Sequence, residues 1–377
     1  MKVLQINPYP PEHLGGSEIF CRNLAINLKN QKNIDSDILT SDVLKRKVKT
    51  DYINENIKII YKKCYFNLWG KNPVVNVSNF INHNYQNYDL IHAHSYIFFT
   101  SFQAALLKRI RRYPLIVHIH GGVQTPLSKG ASLLENIQIT LKQNFYDKII
   151  GRYIIEKADA IISVSNKDLN LIKNRYHIED KLSKHIPNAV DVKKFQKNEG
   201  YERKYITFIG RLSYIKGIDQ FLDLIKDLYK FNDKLKFLII GNGPLRNLVE
   251  IAQKELPITH MEFFPYAKIE EIYNMSKLIM ITSRFEGIPT TLLESLACET
   301  PIIASNVGGI SEIVKPYENG YLLDDNQNQK AIDFILRLID DKKLLTSLGK
   351  NGRKLIEDKY SWEKVIEKTE EIYNKVL

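Results

Sequence analysis

The chain has 377 residues, 44% hydrophobic and 26% charged, with a formal net charge of +11 at neutral pH. That length is natural for two domains of about 180 residues each, and the composition is that of an ordinary soluble globular protein. No apolar run approaches the ~20 residues that span a bilayer, and the apolar start MKVLQIN stops at Pro8, too short for a signal peptide.

The three cysteines, Cys21, Cys64 and Cys298, show no C-x-x-C pairing, which suits a reducing, cytoplasmic setting. The basic excess points to nucleic acid, an anionic membrane surface or phosphorylated ligands. No zinc pattern or RNA-stacking motif accompanies it, so no nucleic-acid partner is expected. Two short clusters, Lys45-Arg46-Lys47 and Lys108-Arg109-Arg111-Arg112, suit reversible contact with the inner face of a membrane, each cation near anionic lipid contributing ~1 kcal/mol.

In chain order, Lys2–Asn7 reads as a buried strand and Ser17–Lys29 as a helix with Ile19, Leu24 and Leu28 inward. Gly15-Gly16-Ser17-Glu18 therefore joins a first strand to a first helix, where ligands meet the strand ends of an open parallel sheet. The same residues would also serve as a tight turn with an N-cap Ser. The loop lacks the spacing of a dinucleotide fingerprint, which weakens a nicotinamide reading. Asp35-Ser36-Asp37 has the form of a metal-binding Asp-x-Asp but reads as a turn entering the second strand. No metal site is expected.

Strands near Ile57–Tyr61, Leu90–Ala93 and Leu115–Ile119 alternate with helices near Val74–His83 and Phe98–Arg111. This alternation predicts a parallel sheet covered on both faces. His92 and His94 end one strand; His118 and His120 are read on opposite faces of another, with His120 beside Gly121-Gly122 at its mouth. The polar loop Val123–Gly130 could cover an acceptor, and a long helix is expected over Ala131–Lys157. A strand ADAIISVS and a helix from Asn166 lead to Asn188 and Asp191, and the polar run to Lys204 reads as a linker.

The strand YITFIG then delivers Arg211 and Lys216 on one loop. Two cations there suit a diphosphate whose negative charge grows as it leaves. The following strand ends in Gly241-Asn242-Gly243-Pro244, whose glycines permit close backbone approach. MEFFPYAKIEEIY offers Tyr266 and Ile269 as base contacts.

The stretch Ser283–Gly309, SRFEGIPTTLLESLACETPIIASNVGG, places Glu286 on a loop and Glu294 on a helix that opens near Pro289. Amides at such a helix start suit a phosphate, and carboxylates suit hydroxyls. A phosphate beside hydroxyls describes a nucleotide sugar.

This segment resembles the donor-site signature of the retaining glycosyltransferases of family 4, which have the α/β GT-B fold of two facing Rossmann-like domains. Here the signature is Glu286-Gly287, Glu294, Ala297-Cys298, Pro301, Ala304-Ser305 and Gly308-Gly309, with Glu299 where the family usually has Gly. Also similar to the family are Gly15-Gly16, His120 before a Gly, the Pro-Asn-x-Val-Asp run at Asn188–Asp191, Gly210-Arg211 with Lys216-Gly217, Gly241-x-Gly243-Pro244, Gly320-Tyr321-Leu322 and Tyr360-Ser361-Trp362.

The resemblance implies a first, acceptor-side domain over 1–190 completed by a C-terminal helix 361–377 that crosses back, a linker 191–203, and a donor domain over 204–360. It implies transfer of a hexose-type sugar from a nucleotide sugar, UDP-linked by preference and GDP-mannose second. The acceptor would be a hydroxyl of a glycan or lipid-linked glycan, and anomeric configuration would be retained. Arg211 and Lys216 would clamp the diphosphate, with the backbone of Gly287, Ile288, Pro289 and Thr290 assisting. Glu286 would hold sugar hydroxyls, Glu294 the ribose, and His120 a sugar hydroxyl, with Gly15, Gly16, Gly241 and Gly243 lining the ligand. No cofactor is implied. Alternatives are a nucleotide-sugar epimerase or phosphorylase of similar build, or a non-catalytic nucleotide-sugar-binding scaffold.

Overall fold

The computed structural model describes residues 1–13, 15–44, 50–53, 55–68, 72–123, 133–324 and 328–377. The basic run Lys45-Arg46-Lys47 and loop residues 124–130 lie outside them. The chain divides into two compact units, Met1–Asn188 with Trp362–Leu377, and Ala189–Ser361.

The first unit is built on strands β1 (Lys2–Ile6), β2 (Asp35–Ser41), β3 (Thr50–Ile53), β4 (Ile57–Lys62), β7 (Leu90–His94), β8 (Leu115–Ile119), β9 (Ala160–Ser163) and β10 (Ser183–His185). A separate hairpin pairs β5 (Cys64–Leu68) with β6 (Asn72–Val75). The main sheet runs β10-β9-β8-β7-β1-β2-β4-β3, parallel except for edge strand β3. The chain works outward from β1 through β2 and β4, then returns to β7 on β1's other side. The strand order therefore reverses at β1/β7, where a crevice opens beyond the carboxyl ends.

One face of this sheet is a continuous aliphatic layer that includes Leu4, Ile6, Ile91, Ala93, Val117 and Ile119. The other face carries Gln5, His92, His94 and His118, all 0–1% exposed. The first helix, Gly16–Lys32, and the C-terminal helix, Trp362–Val376, supply Phe20 and Tyr373 over that polar stripe.

The second unit has six parallel strands: β11 (Tyr205–Ile209), β12 (Lys236–Ile240), β13 (Ile258–Met261), β14 (Ser276–Ile281), β15 (Ile302–Ser305) and β16 (Gly320–Leu323). Their order is β13-β12-β11-β14-β15-β16, so the switch point falls at β11/β14. Aliphatic cores lie on both faces of the sheet, as fully covered parallel strands require.

Several local expectations are corrected. Asp35–Asp37 begins β2 and is not a turn. Asp37 is held by Lys2 at 3.1 Å and by the Tyr88 hydroxyl at 2.8 Å, and Asp35 by Lys29 at 2.8 Å. Paired carboxylates tolerate a strand start. The helix expected over Val74–His83 begins only at Ser78, because Pro73-Val74-Val75 completes the hairpin. Over the described part of Ala131–Lys157 the helix is not uniform: Lys142–Gly151 is wound as a π-helix. The wider turn carries Asp147 to the buried side, where Lys142 and Arg175 each reach it at 2.9 Å.

Candidate functional site

The second unit gathers its site residues at its switch point. Arg211 and Lys216 lie on the loop after β11, Ser283 and Glu286 on the loop after β14, and Gly241 and Gly243 on the loop after β12. The loops are knit by backbone contact. The Arg284 amide donates to the Ile215 carbonyl at 2.8 Å, and the Thr282 hydroxyl to the Gly217 carbonyl at 2.7 Å. The Arg284 guanidinium donates to both oxygens of Asp219, at 2.7 and 2.6 Å, and lies 3.8 Å from the Tyr214 ring centre. Arg284 and Asp219 thus fix the loop that carries Lys216. Sequence reading missed both, because sixty-five positions separate the partners.

Lys216 and Glu286 meet directly: the ammonium donates to Glu286 Oε1 at 2.5 Å, and the Ser283 hydroxyl donates to the same oxygen at 2.8 Å. Glu286 has 11% of its side chain exposed and Lys216 36%, so the carboxylate is more than a solvated loop charge. Arg211 is exposed on the same loop as Lys216. The backbone around Glu286 is clamped from behind. The Gly309 amide donates to the Gly287 carbonyl at 2.9 Å, and a Cβ on Gly308 (φ +56°) would lie 1.8 Å from the Glu286 carbonyl oxygen. Only glycine allows that approach.

The helix expected to open with Pro289 starts at Thr290 and runs to Ala297, with Pro289 as its N-cap and no side chain capping it. Its first amides are therefore oriented toward the loop that begins with Gly287, in the manner that suits an anion. The Ile288 side chain packs in the core. At the helix's other end Glu299 takes φ +55°, the left-handed turn where the family has glycine. Arg203 holds it by donating to the Glu299 and Cys298 carbonyls at 2.6 Å each.

Glu294 is 4% exposed and accepts from two tyrosines, Tyr266 Oη at 2.7 Å and Tyr273 Oη at 2.5 Å. Burial raises its pKa, and the two phenolic hydrogen bonds pull the other way. Each carboxylate oxygen retains a second lone pair for a ligand hydroxyl. Tyr266, expected as a base contact, thus holds Glu294, and Ile269 belongs to the core. The glycines after β12 approach protein backbone: a Cβ on Gly241 would lie 2.0 Å from the Gly210 carbonyl oxygen, and one on Gly243 2.4 Å from that of Leu212. They set the Arg211 loop.

In the first unit, Gly15 is the N-cap of the first helix and Gly16 its first residue, so the expected N-cap Ser17 lies inside the helix. A Cβ on Gly15 would strike the Glu18 carboxylate at 2.2 Å, whereas one on Gly16 would meet nothing within 4 Å. Glu18 is buried over the helix start, and burial raises its pKa against hydrogen bonds from its own amide and the Ser17 hydroxyl.

His118 and His120 were expected on opposite faces, yet their rings stack at 4.3 Å. Residues two apart on a strand share a face. His94 sits opposite His118 across the β7/β8 pair and joins the stack, with its ring 5.1 Å from that of His120. Phe20 packs edge-on to His118 and His120, at 5.0 and 5.1 Å.

Hydrogen bonds order the protons in this stack. His94 Nε2 is 2.7 Å from Gln5 Oε1, which can only accept, so His94 carries its proton there. Its Nδ1 then accepts from His120 Nε2 at 2.9 Å, which leaves His120 Nδ1 as the acceptor. Burial lowers the pKa of His120 to about 3, and burial followed by the neighbouring His92 and His120 holds that of His94 well below 6.5. Both imidazoles are therefore neutral near pH 7. His92 Nδ1 meets Tyr373 Oη at 2.7 Å. His92 Nε2 and both nitrogens of His118 make no hydrogen bond of normal geometry.

Among the described residues, His92, His94 and His118 form the one histidine trio whose nitrogens approach within 4.8 Å. A tetrahedral ion needs nitrogens about 3.3 Å apart and converging. These rings lie within 5–25° of parallel, and both nitrogens of His94 are already bonded. The trio fits a neutral stack better than a metal centre.

Two family descriptions match the chain: Glycosyltransferase Family 4 over residues 14–194 and Glycosyl transferases group 1 over 190–355. An uncharacterized glycosyltransferase of Methanocaldococcus jannaschii is 29% identical over 100% of this chain and 99% of its own length. Among solved structures, sucrose-phosphate synthase from Thermosynechococcus elongatus superposes with a TM-score of 0.81 at 18% identity, over 100% of this chain and 98% of that one. HepE of Anabaena, solved in complex with UDP, gives 0.73 at 16% identity over the full length of both chains. The two family matches together span residues 14–355, which leaves only the first strand and the C-terminal end outside them, and the structural likeness extends over the whole chain. This chain is a GT-B glycosyltransferase of the family 4 type.

Proposed function

We propose that the chain moves a hexose-type sugar from a UDP-sugar to a hydroxyl of a glycan or lipid-linked acceptor, with retention of anomeric configuration. The observation that carries this reading is the Lys216–Glu286 pair beside the uncapped start of the Thr290–Ala297 helix. A cation, a carboxylate and helix amides are held at one switch point, as a diphosphate next to sugar hydroxyls requires. The UDP bound by the similar HepE supports the choice of nucleotide.

In this mechanism Lys216 and Arg211 take the diphosphate, and the helix amides stabilise the charge that grows on it. Glu286, released from Lys216, accepts hydroxyls of the sugar, and Glu294 accepts from the ribose. His120 Nδ1, the unprotonated nitrogen, accepts a hydroxyl of the transferred sugar. The anomeric carbon–phosphate oxygen bond breaks and the bond to the acceptor oxygen forms on the same face. The acceptor's proton passes to the leaving phosphate. Two cations and helix amides supply the charge neutralisation that a metal would otherwise provide.

The test is calorimetric titration with UDP, GDP, ADP and NAD, without metal and then with magnesium, followed by transfer assays on Glu286→Gln and Lys216→Ala. UDP binding without metal and a loss of about 10²–10³ in kcat for each variant are expected. Binding of NAD alone, or near-normal transfer by both variants, would overturn the assignment.

A further inference from the structure

We propose that the first unit docks on an anionic membrane through the outer faces of two helices, Phe99–Arg111 and the α–π–α helix that ends at Lys157. The proposal does not depend on which sugar is moved.

On the first helix Phe99, Leu106 and Ile110 are 38%, 47% and 69% exposed. With half-buried Phe102 they recur at helical spacing along one stripe. On the second helix Ile137, Leu141, Phe145 and Ile149 are 46–59% exposed, each four residues from the last. In an ordinary α-helix a four-residue repeat drifts steadily around the axis. Here the π-winding of Lys142–Gly151 reverses the drift, so the four residues stay in one row. The same winding turns the acidic Asp147 inward. The two helices adjoin, with Phe102 and Tyr153 rings 5.9 Å apart.

Charge selects the partner. The exposed residues interleaved with the apolar rows include Arg109, Arg112, Lys148 and Arg152. The helix Phe99–Arg111 contains no Asp or Glu, and the only exposed acid among residues 136–157 is Glu156, paired with Arg152. Apolar rows edged by cations are the pattern of a helix lying in the headgroup region of anionic lipid. A second copy of the same face would oppose cation to cation, which disfavours self-association.

The experiment is flotation of the full chain with vesicles of phosphatidylcholine alone and with about one-third phosphatidylglycerol, at low and high salt. Binding is expected only to the anionic vesicles and is weakened by salt. Phe145→Ser with Ile149→Ser, and separately Leu106→Ser with Ile110→Ser, should each lower binding by about tenfold or more. Arg109→Gln with Arg112→Gln should lower it about 25-fold, at about fivefold per cation. Phe263→Ser, an equally exposed apolar residue of the second unit, should change nothing. UDP affinity, measured in parallel, should be unaltered in every variant, which separates failure here from failure of the donor-site reading. Equal binding to neutral vesicles, retention by all three double variants, or a dimer in sedimentation that Phe145→Ser with Ile149→Ser dissolves would overturn the proposal.

Discussion

Acidification should unfold the first unit at a pH where most proteins remain folded, because of its histidine stack. In the native state burial holds the pKa of both His92 and His120 at about 3, and keeps His94 and His118 well below 6.5. The unfolded chain takes up a proton at each histidine as the pH falls through about 6.5. The unfolded state therefore binds more protons, and stability declines with falling pH across the window from about 6.5 to 3. At pH 5 each of His92 and His120 accounts for about 2 kcal/mol, being 1.5 pH units at 1.36 kcal/mol per unit. Together they remove about 4 kcal/mol, with His94 and His118 adding in the same direction. A domain is typically stable by about 5–15 kcal/mol. Glu18 opposes the trend, since its pKa is raised. Trp362 packs against Phe20 in this unit, 5.4 Å between ring centres, and no tryptophan occurs in residues 189–361, so indole fluorescence during urea unfolding at pH 7.5, 6 and 5 follows this unit. His118→Phe, which replaces an imidazole without hydrogen bonds of normal geometry, should lessen the dependence by the share of His118. Equal midpoints at pH 7.5 and 5, or the same decline in His118→Phe as in the parent, would refute the reasoning.

Gly308→Ala should cut transfer by about 10²-fold and also destabilise the second unit, because its Cβ must push the Glu286 carbonyl aside at a left-handed backbone position; steady-state kinetics beside thermal unfolding checks this. Tyr273→Phe removes one of two donors to the buried Glu294. It should destabilise the second unit by about 1.5–3 kcal/mol in calorimetric unfolding and raise the carboxyl's pKa further. Gln5→Leu removes the acceptor for His94 Nε2. Nitrogen-15 spectra should then show His120 exchanging between tautomers, whereas Gln5→Glu, which still accepts, should preserve the single one; an unchanged spectrum in Gln5→Leu would sink the proton ordering.

The alternation of short aliphatic strands with helices was sufficient to give two largely parallel sheets, because a strand buried on both faces is mostly apolar along its length; Gln5, His92, His94 and His118 are exceptions in the first unit. Leu115–Ile119 was legible to the residue. The loop glycines and the Glu286–Gly309 stretch also marked the residues that the fold gathers at the second unit's switch point, since a motif fixes which side chains leave a strand end. Sequence could not show what those side chains touch. Lys216 and Glu286 are 70 positions apart and read as separate ligands of a substrate, yet here they bind each other. Gly308 enters the sequence reading only as part of a family pattern, and the fold requires it because another backbone passes against it. His120, His92 and His94 read as strand-end candidates and His118 as facing the other way. The fold stacks all four, with His94, His118 and His120 under Phe20 and His92 under Tyr373, and Gln5 on the neighbouring strand sets which nitrogen of His120 bears the proton. Periodicity reports burial along one element. Pairing, tautomer and charge depend on groups that only the folded chain makes neighbours.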